Sequence, residues 1–313
     1  MKINGSSVAV CGGAGFLGSH LVDYLIEERK CDVLVIDNLM VGRKDFIHPK
    51  AKFAWCDITL SEGQIYKFLK FHRIDYIFNY TAMPYVPNSF ERPLHVFDIN
   101  ARGALMVMNA GQDAGVKGIL QVSSAEIYGD ATGKVNEEAP TRPHSSYGAS
   151  KLAIDCLVQA RWKEARTPCI ALRQFNCVGE RDLLHPYVIP EIISQLSKGK
   201  TVYLGNNSYR DFLYAGDQSV MAVELLEKGQ PGEVYNLGSE TGIKIYDLAH
   251  LIGKLMGHPS ICIIEDPLRV RPWEIWHLQS NNAKIYSVVT ARPMVDLEEA
   301  LKRTIEDLGK RIK

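Results

Sequence analysis

The chain opens on a short run of consecutive apolar positions, Val8–Cys11, followed by a glycine-rich turn and an amphipathic stretch from Phe16 to Glu28. The alternation then repeats. Val33–Asp37 is a second apolar run, Phe53–Asp57 a weaker third and Tyr76–Tyr80 a fourth. A long helical stretch around Asn100–Ala114 leads to a fifth run, Ile119–Ser123. Tyr147–Arg166 has helical periodicity and is stopped by Thr167-Pro168, after which Cys169–Arg173 is the next strand. These strands are apolar along their whole length rather than at every second position. That pattern belongs to a parallel sheet covered by helices on both faces, so it predicts a doubly wound α/β fold.

Beyond about Gly179, prolines and glycines punctuate shorter elements, with helical stretches at Pro190–Ser197, Gln218–Lys228, Tyr246–Met256 and Leu297–Leu308. This predicts a smaller C-terminal α/β substrate lobe, with residues 1–178 forming the first domain and 179–313 mainly the lobe. The length of 313 residues fits one large domain or two modest ones. Charge narrows the partners. The 36 basic and 36 acidic residues cancel, which argues against a nucleic-acid or anionic-membrane partner, since either needs a positive surplus. No apolar run approaches the ~20 residues that span a bilayer, and the chain enters its first strand without a signal-peptide pattern. Seven widely spaced cysteines without a Cys-x-x-Cys pair read as reduced thiols of a cytoplasmic protein. Nine scattered histidines give no ligand spacing, so no metal site is expected.

The strongest local signal is Gly12-Gly13-Ala14-Gly15-Phe16-Leu17-Gly18, between the first strand and the first helix. Gly12 permits a tight turn, Gly15 lets backbone approach a pyrophosphate, and Gly18 lets the helix pack close to the sheet. The helix N-terminus then offers free N–H groups to phosphate oxygens. The second strand ends in Asp37, 19 residues after Gly18, where a carboxylate can accept ribose hydroxyls and repel a 2′-phosphate. NAD is therefore the expected cofactor of a Rossmann-type domain. Tyr147 and Lys151 stand at i, i+4, on one helix face. An ammonium there favours phenolate, so Tyr147 can act as a base. Tyr66–Lys70 has the same spacing but no serine-bearing strand before it. Tyr147 does: Ser124 ends the fifth strand, and open α/β sheets place ligands at strand C-termini.

Gly-x-x-Gly-x-x-Gly and Tyr-x-x-x-Lys together resemble the extended short-chain dehydrogenase/reductases, and within them the NAD-dependent nucleotide-sugar epimerase/dehydratase family. The likeness runs through nearly the whole chain. Asp37-Asn38-Leu39 with Gly42 resembles the family's ribose-binding turn, and Asp57-Ile58 its adenine-side pair. Thr81 and Ala82, with Tyr80 before them, stand where the family carries Leu-Ala-Ala, and the following loop, 83–90, carries two prolines. Asn100 matches an asparagine of the long helix. Arg173-Gln174-Phe175-Asn176 resembles the strand whose asparagine holds the substrate diphosphate. Arg210, in Arg-Asp-Phe-x-Tyr-x-x-Asp, and Arg271, in the late Arg-Pro, add guanidinium contacts suited to phosphate.

The resemblance implies oxidation of a nucleotide-diphosphate sugar at C4, with Tyr147, Lys151, Ser124 and Glu126 as the catalytic set. Gly12, Gly15, Phe16, Leu17, Gly18, Asp37, Asn38, Gly42, Asp57, Ile58, Thr81 and Ala82 would hold NAD; Ser124, Asn176, Arg210 and Arg271 would hold the substrate. Ser123-Ser124-Ala125 looks like the galactose-type epimerases, whereas Glu126 occupies the place of the dehydratases' C5 base. The tail from Arg271 to Asn282 resembles the hexosamine 4,6-dehydratases. These features favour a 4,6-dehydratase-type elimination over 4-epimerisation. UDP-glucuronate decarboxylation and a non-catalytic NAD sensor rank behind. Family members commonly pair through two long helices, here around Asn100–Ala114 and Ala149–Arg166, which implies a homodimer.

Overall fold

A computed structural model describes residues 2–182, 187–271 and 273–311. Its main sheet has seven strands, all parallel. Their order is Val234–Leu237, Cys169–Gln174, Gly118–Ser124, Tyr76–Asn79, Ser7–Cys11, Asp32–Asp37 and Lys52–Trp55. The first strand lies inside the sheet, and strand order reverses there, so a crevice opens at its C-terminal end. The inner strands Gly118–Ser124 and Cys169–Gln174 are buried at every position. One apolar layer packs Leu21, Leu25, Met221 and Leu225 on one face; the other packs Ile65, Leu69, Val107, Met108 and Val158 on the opposite face. This is the doubly wound α/β arrangement that the unbroken apolar strands predict.

Three local devices aim side chains at the crevice. The Phe16–Glu27 helix starts at Gly15, which offers no side-chain cap, and has no acid in its first turn. Its first N–H groups therefore stay available. The Gly103–Ala114 helix is preceded by a π-turn at Asp98–Arg102. Within it Asn100 is buried, accepting from the N–H of Met83 at 2.9 Å and donating to Ser150 Oγ at 3.0 Å. It ties the loop after the fourth strand to the Ser146–Ala165 helix. That helix is capped by Ser145, whose hydroxyl accepts from the N–H of Gly148, and it ends at Arg166 in a left-handed conformation.

After Gln174 the chain leaves the large sheet, returns with the Ala215–Lys228 helix and the Val234–Leu237 strand, and leaves again. A second sheet joins Gly242–Lys244, Tyr209–Tyr214, His277–Ser280 and Lys134–Val135, with Asn176–Val178 also paired to Tyr209–Tyr214. Thr201–Leu204 and Cys262–Glu265 form a parallel pair. The helices Val188–Leu196, Ile245–Leu255 and Leu297–Arg311 share a separate apolar core around Ile192, Leu248 and Leu301. Among the described residues no helix is long and apolar enough to cross a membrane.

Candidate active site

A cleft of about 740 Å³ runs along the C-terminal ends of the parallel strands and under the lobe. Every site residue expected from the sequence lines it. At one end sits the glycine turn. Gly12 has φ +76°, and a Cβ there would meet the Thr81 backbone nitrogen at 2.8 Å. A Cβ on Gly18 would stand 2.1 Å from the Gly12 carbonyl oxygen, and one on Gly42 would press on the Ala14 backbone at 2.8 Å. The turn is thus packed so tightly that only hydrogen fits at these positions.

Asp37 lies beside the turn. One carboxylate oxygen accepts from the N–H of Ala14 at 3.1 Å and the other from the N–H of Leu39 at 2.8 Å. Burial pushes its carboxyl above the ordinary value, against the pull of those two N–H groups. A carboxylate has about four acceptor sites, so capacity remains for hydroxyls in the cleft. Asn38 donates to Asp57 at 3.2 Å, which locks the second and third strand ends together, with Ile58 buried behind them. Phe16, Leu17 and Ala82 complete the walls. The Thr81 hydroxyl is buried and has no partner in the chain, whereas the neighbouring Tyr80 hydroxyl is paired with Gln218. An orphaned hydroxyl, an uncapped helix start and a cradle that a Cβ would fill are what a dinucleotide requires. These residues fit NAD.

The reactive end is built by the fifth strand and the Ser146–Ala165 helix. Ser124 ends the strand and hydrogen-bonds the Tyr147 phenol. Its oxygen also accepts from the N–H of Glu126 at 3.2 Å, which brings Glu126 into the cleft. Lys151 is buried one turn after Tyr147, with its Nζ 5.9 Å from the centre of the phenol ring. It donates to the Val122 carbonyl at 2.8 Å. Burial pulls its ammonium down to about 8, opposed by the Asp155 carboxylate. The expectation that this ammonium draws the phenol down is not met in the free chain. Burial pushes Tyr147 well above its ordinary value; Ser124 pulls the other way and the Glu126 carboxylate adds to the rise. The ammonium donates to a carbonyl, and its Nζ stands 5.9 Å from the centre of the phenol ring.

The lobe closes the far end. Asn176 lines the cleft from its short strand. Arg173, three residues earlier, does not: its guanidinium is buried on Asp155 at 2.8 Å and on the Tyr128 hydroxyl at 2.8 Å. Arg210 is buried against Glu274, Nη2 to Oε1 at 2.9 Å, and Arg271 faces Glu126. Pro272, part of the Arg-Pro signal, lies outside the described residues. Among the cleft residues that the sequence reading did not single out are Glu274, Tyr85 and Tyr187. Glu274 follows Arg271 by three positions, and an acid so close to a phosphate-type arginine was the available signal. Tyr85 and Tyr187 stand edge to face, with centroids 5.6 Å apart. They come from loops 102 residues apart, with no periodicity to link them. Among the described residues no cluster of histidine, cysteine or carboxylate side chains could hold a metal ion.

The family model described as "NAD dependent epimerase/dehydratase family" matches residues 8–238. The chain is 29% identical to a mouse dTDP-D-glucose 4,6-dehydratase, over 96% of this chain and 87% of the mouse protein. It is 30% identical to a putative UDP-glucose 4-epimerase of Methanocaldococcus jannaschii, over 95% of this chain and 97% of that one. Among solved structures it resembles the UDP-glucose 4-epimerase of Thermotoga maritima with UDP-glucose, at a TM-score of 0.92 and 27% identity, covering 98% of this chain and 100% of that one.

Proposed function

Because this chain belongs to the NAD dependent epimerase/dehydratase family, we propose that it is a nucleotide-sugar 4,6-dehydratase that oxidises its substrate at C4 and eliminates water across C5 and C6. NAD is its cofactor, and the coarser assignment, an NAD enzyme acting on nucleotide sugars, holds for relatives of both reaction types. The finer reading is carried by one observation: Glu126 lies in the cleft beside Tyr147, close enough for its carboxylate to act on the phenol.

In this reading, bound NAD supplies the oxidant for C4 and a positive charge that favours the phenolate. Tyr147 takes the C4 hydroxyl proton, and Ser124 holds the oxygen it leaves. Lys151, fixed on the Val122 carbonyl, adds a second positive charge near the phenol. A ketone at C4 acidifies the C5 hydrogen. Glu126 takes that proton on its carboxylate. The neighbouring Ala125 is buried and has no proton to give, so Glu126 passes its own to the departing C6 hydroxyl, which leaves as water. The hydride removed from C4 would then be returned at C6, and Glu126, reprotonated from solvent, would give a proton back to C5, leaving a 4-keto-6-deoxy sugar and the cofactor oxidised as it began. Asn176, Arg210 and Arg271 hold the diphosphate and keep the sugar in register with Tyr147 and Glu126.

Ala125 favours a second reading. Ala125 stands where dTDP-glucose 4,6-dehydratases carry an aspartic acid for the leaving hydroxyl, and a site that keeps Tyr147 without that acid suits a 4-epimerase, in which the ketosugar turns and is reduced on its other face. A panel of UDP-, GDP-, dTDP- and CDP-sugars with NMR of the products tests both. The first reading expects a 4-keto-6-deoxy sugar still attached to its nucleotide; a sugar inverted at C4 and otherwise unchanged supports the second. We also propose a homodimer through the Gly103–Ala114 and Ser146–Ala165 helices, acting in the cytoplasm. Sedimentation of a monomer at micromolar concentration contradicts the dimer.

A further inference from the structure

Four charged side chains meet at the sugar end of the cleft: Arg210, Arg271, Glu126 and Glu274. The two ion pairs they form are unequal. Arg210 donates to Glu274 Oε1 at 2.9 Å and to the Tyr209 carbonyl at 3.0 Å. Glu274 is held in turn by the N–H of Ile275 at 3.1 Å and by Asn206 Nδ2 at 2.8 Å. Both side chains of this pair are buried. Arg271 Nη1, by contrast, stands 3.5 Å from Glu126 Oε1, beyond the usual range of an N–H···O bond. Its side chains are 34% and 18% exposed. One pair is a fixture, and the other is loose.

We propose that the Glu126–Arg271 pair is an exchangeable latch: a nucleoside diphosphate entering the cleft takes Arg271 from Glu126 and frees that carboxylate to work on the sugar. The inference rests on the reading of the cleft and of Glu126 given above. A long, part-exposed ion pair contributes little. A guanidinium meets a phosphate through two short charge-assisted bonds, so the exchange runs toward the ligand. Arg210 does not exchange in this way, because its departure would strand the buried Glu274 carboxylate. Arg210 is therefore the fixed anchor, with Glu274 as its positioning residue, and Arg271 is the moving part. Sugars that carry no diphosphate leave Glu126 latched. Linkage makes the effect reciprocal: whatever holds Glu126 to Arg271 in the free protein is subtracted from diphosphate affinity.

A double-mutant cycle on the NAD-loaded protein tests the latch, with UDP, dTDP and GDP as sugar-free probes and calorimetric affinity as the readout. Glu126→Gln should bind the preferred probe about 3- to 5-fold more tightly than the parent. Arg271→Gln should bind it more weakly. In the double variant the gain from Glu126→Gln should vanish, since there is no latch left to release. Glu126→Ala should repeat the gain, which guards against an effect peculiar to glutamine. Unchanged or weaker binding by both Glu126 variants overturns the latch. An equal gain in the Arg271→Gln background also overturns it, showing simple repulsion between Glu126 and phosphate. Failure of all three probes, and of CDP as a fourth, to bind the parent protein overturns the nucleotide-sugar reading itself, a result distinct from either of the others.

Discussion

Tyr147 and Lys151 show how far a residue can be read from its spacing. The i, i+4 relation puts both on the same side of the Ser146–Ala165 helix, and both line the cleft. What spacing could not convey is that Lys151 spends a hydrogen bond on the Val122 carbonyl, because that carbonyl belongs to a strand 29 residues earlier. Nor could it convey that Arg173 is turned away into a buried pair with Asp155. Two predictions follow at this scale. Tyr147→Phe removes the proton acceptor and should slow C4 oxidation by ~10²–10⁴-fold. NAD should remain bound, as judged by native mass spectrometry; turnover within a few-fold of the parent contradicts the assignment. The second concerns pH. The Lys151 ammonium is present below about pH 8 and is lost above it. Once bound NAD has brought Tyr147 to the phenolate, a rate that also depends on that charge should fall by about tenfold per pH unit on the alkaline side. Single-turnover reduction of bound NAD, followed by its absorbance, should show this limb, and Lys151→Met should lack it.

At the scale of elements, the parallel strands were the most legible part of the chain because burial on both faces leaves them apolar throughout. The glycine turn was legible because the backbone there has no room for a side chain. Gly18→Ala forces a Cβ to within 2.1 Å of the Gly12 carbonyl oxygen and close to Gly13. It should lower stability by about 1–3 kcal/mol and leave the purified protein without its nucleotide, as read by the ratio of nucleotide to protein absorbance. The short strands of the second sheet were not legible. Lys134–Val135 and Asn176–Val178 are too brief to carry a period, and their partners lie far along the chain. Asp155–Arg173 joins the helix that carries Tyr147 and Lys151 to its neighbouring strand in full burial. Asp155→Asn leaves the buried Arg173 charge without its counter-ion, which should lower stability by ~3–5 kcal/mol in denaturant unfolding. A loss under 1 kcal/mol contradicts that role.

At the scale of the whole molecule, the sheet presents a cofactor cradle and the lobe presents charged side chains, with Ser124, Tyr147 and Lys151 between them. The cradle selects its occupant. A second anion beside the buried Asp37 carboxylate is disfavoured, so NAD rather than NADP should accompany the purified protein; NADP found by mass spectrometry contradicts this. The lobe was the less legible half. Its arginines stood out in the sequence, but which acid meets which arginine, Glu274 on Arg210 and Glu126 beside Arg271, is set only once the late loop is folded against the strand ends. In the proposed elimination Glu126 removes the C5 proton of a ketosugar. One nucleotide sugar taken to partial conversion in heavy water, with C4, C5 and C6 examined by NMR, tests it most directly. Elimination through Glu126 predicts solvent deuterium at C5 and a hydroxyl lost from C6, with Glu126→Gln stopping water loss while bound NAD is still reduced. A product inverted at C4, with no deuterium at any carbon and unaffected by Glu126→Gln, contradicts it.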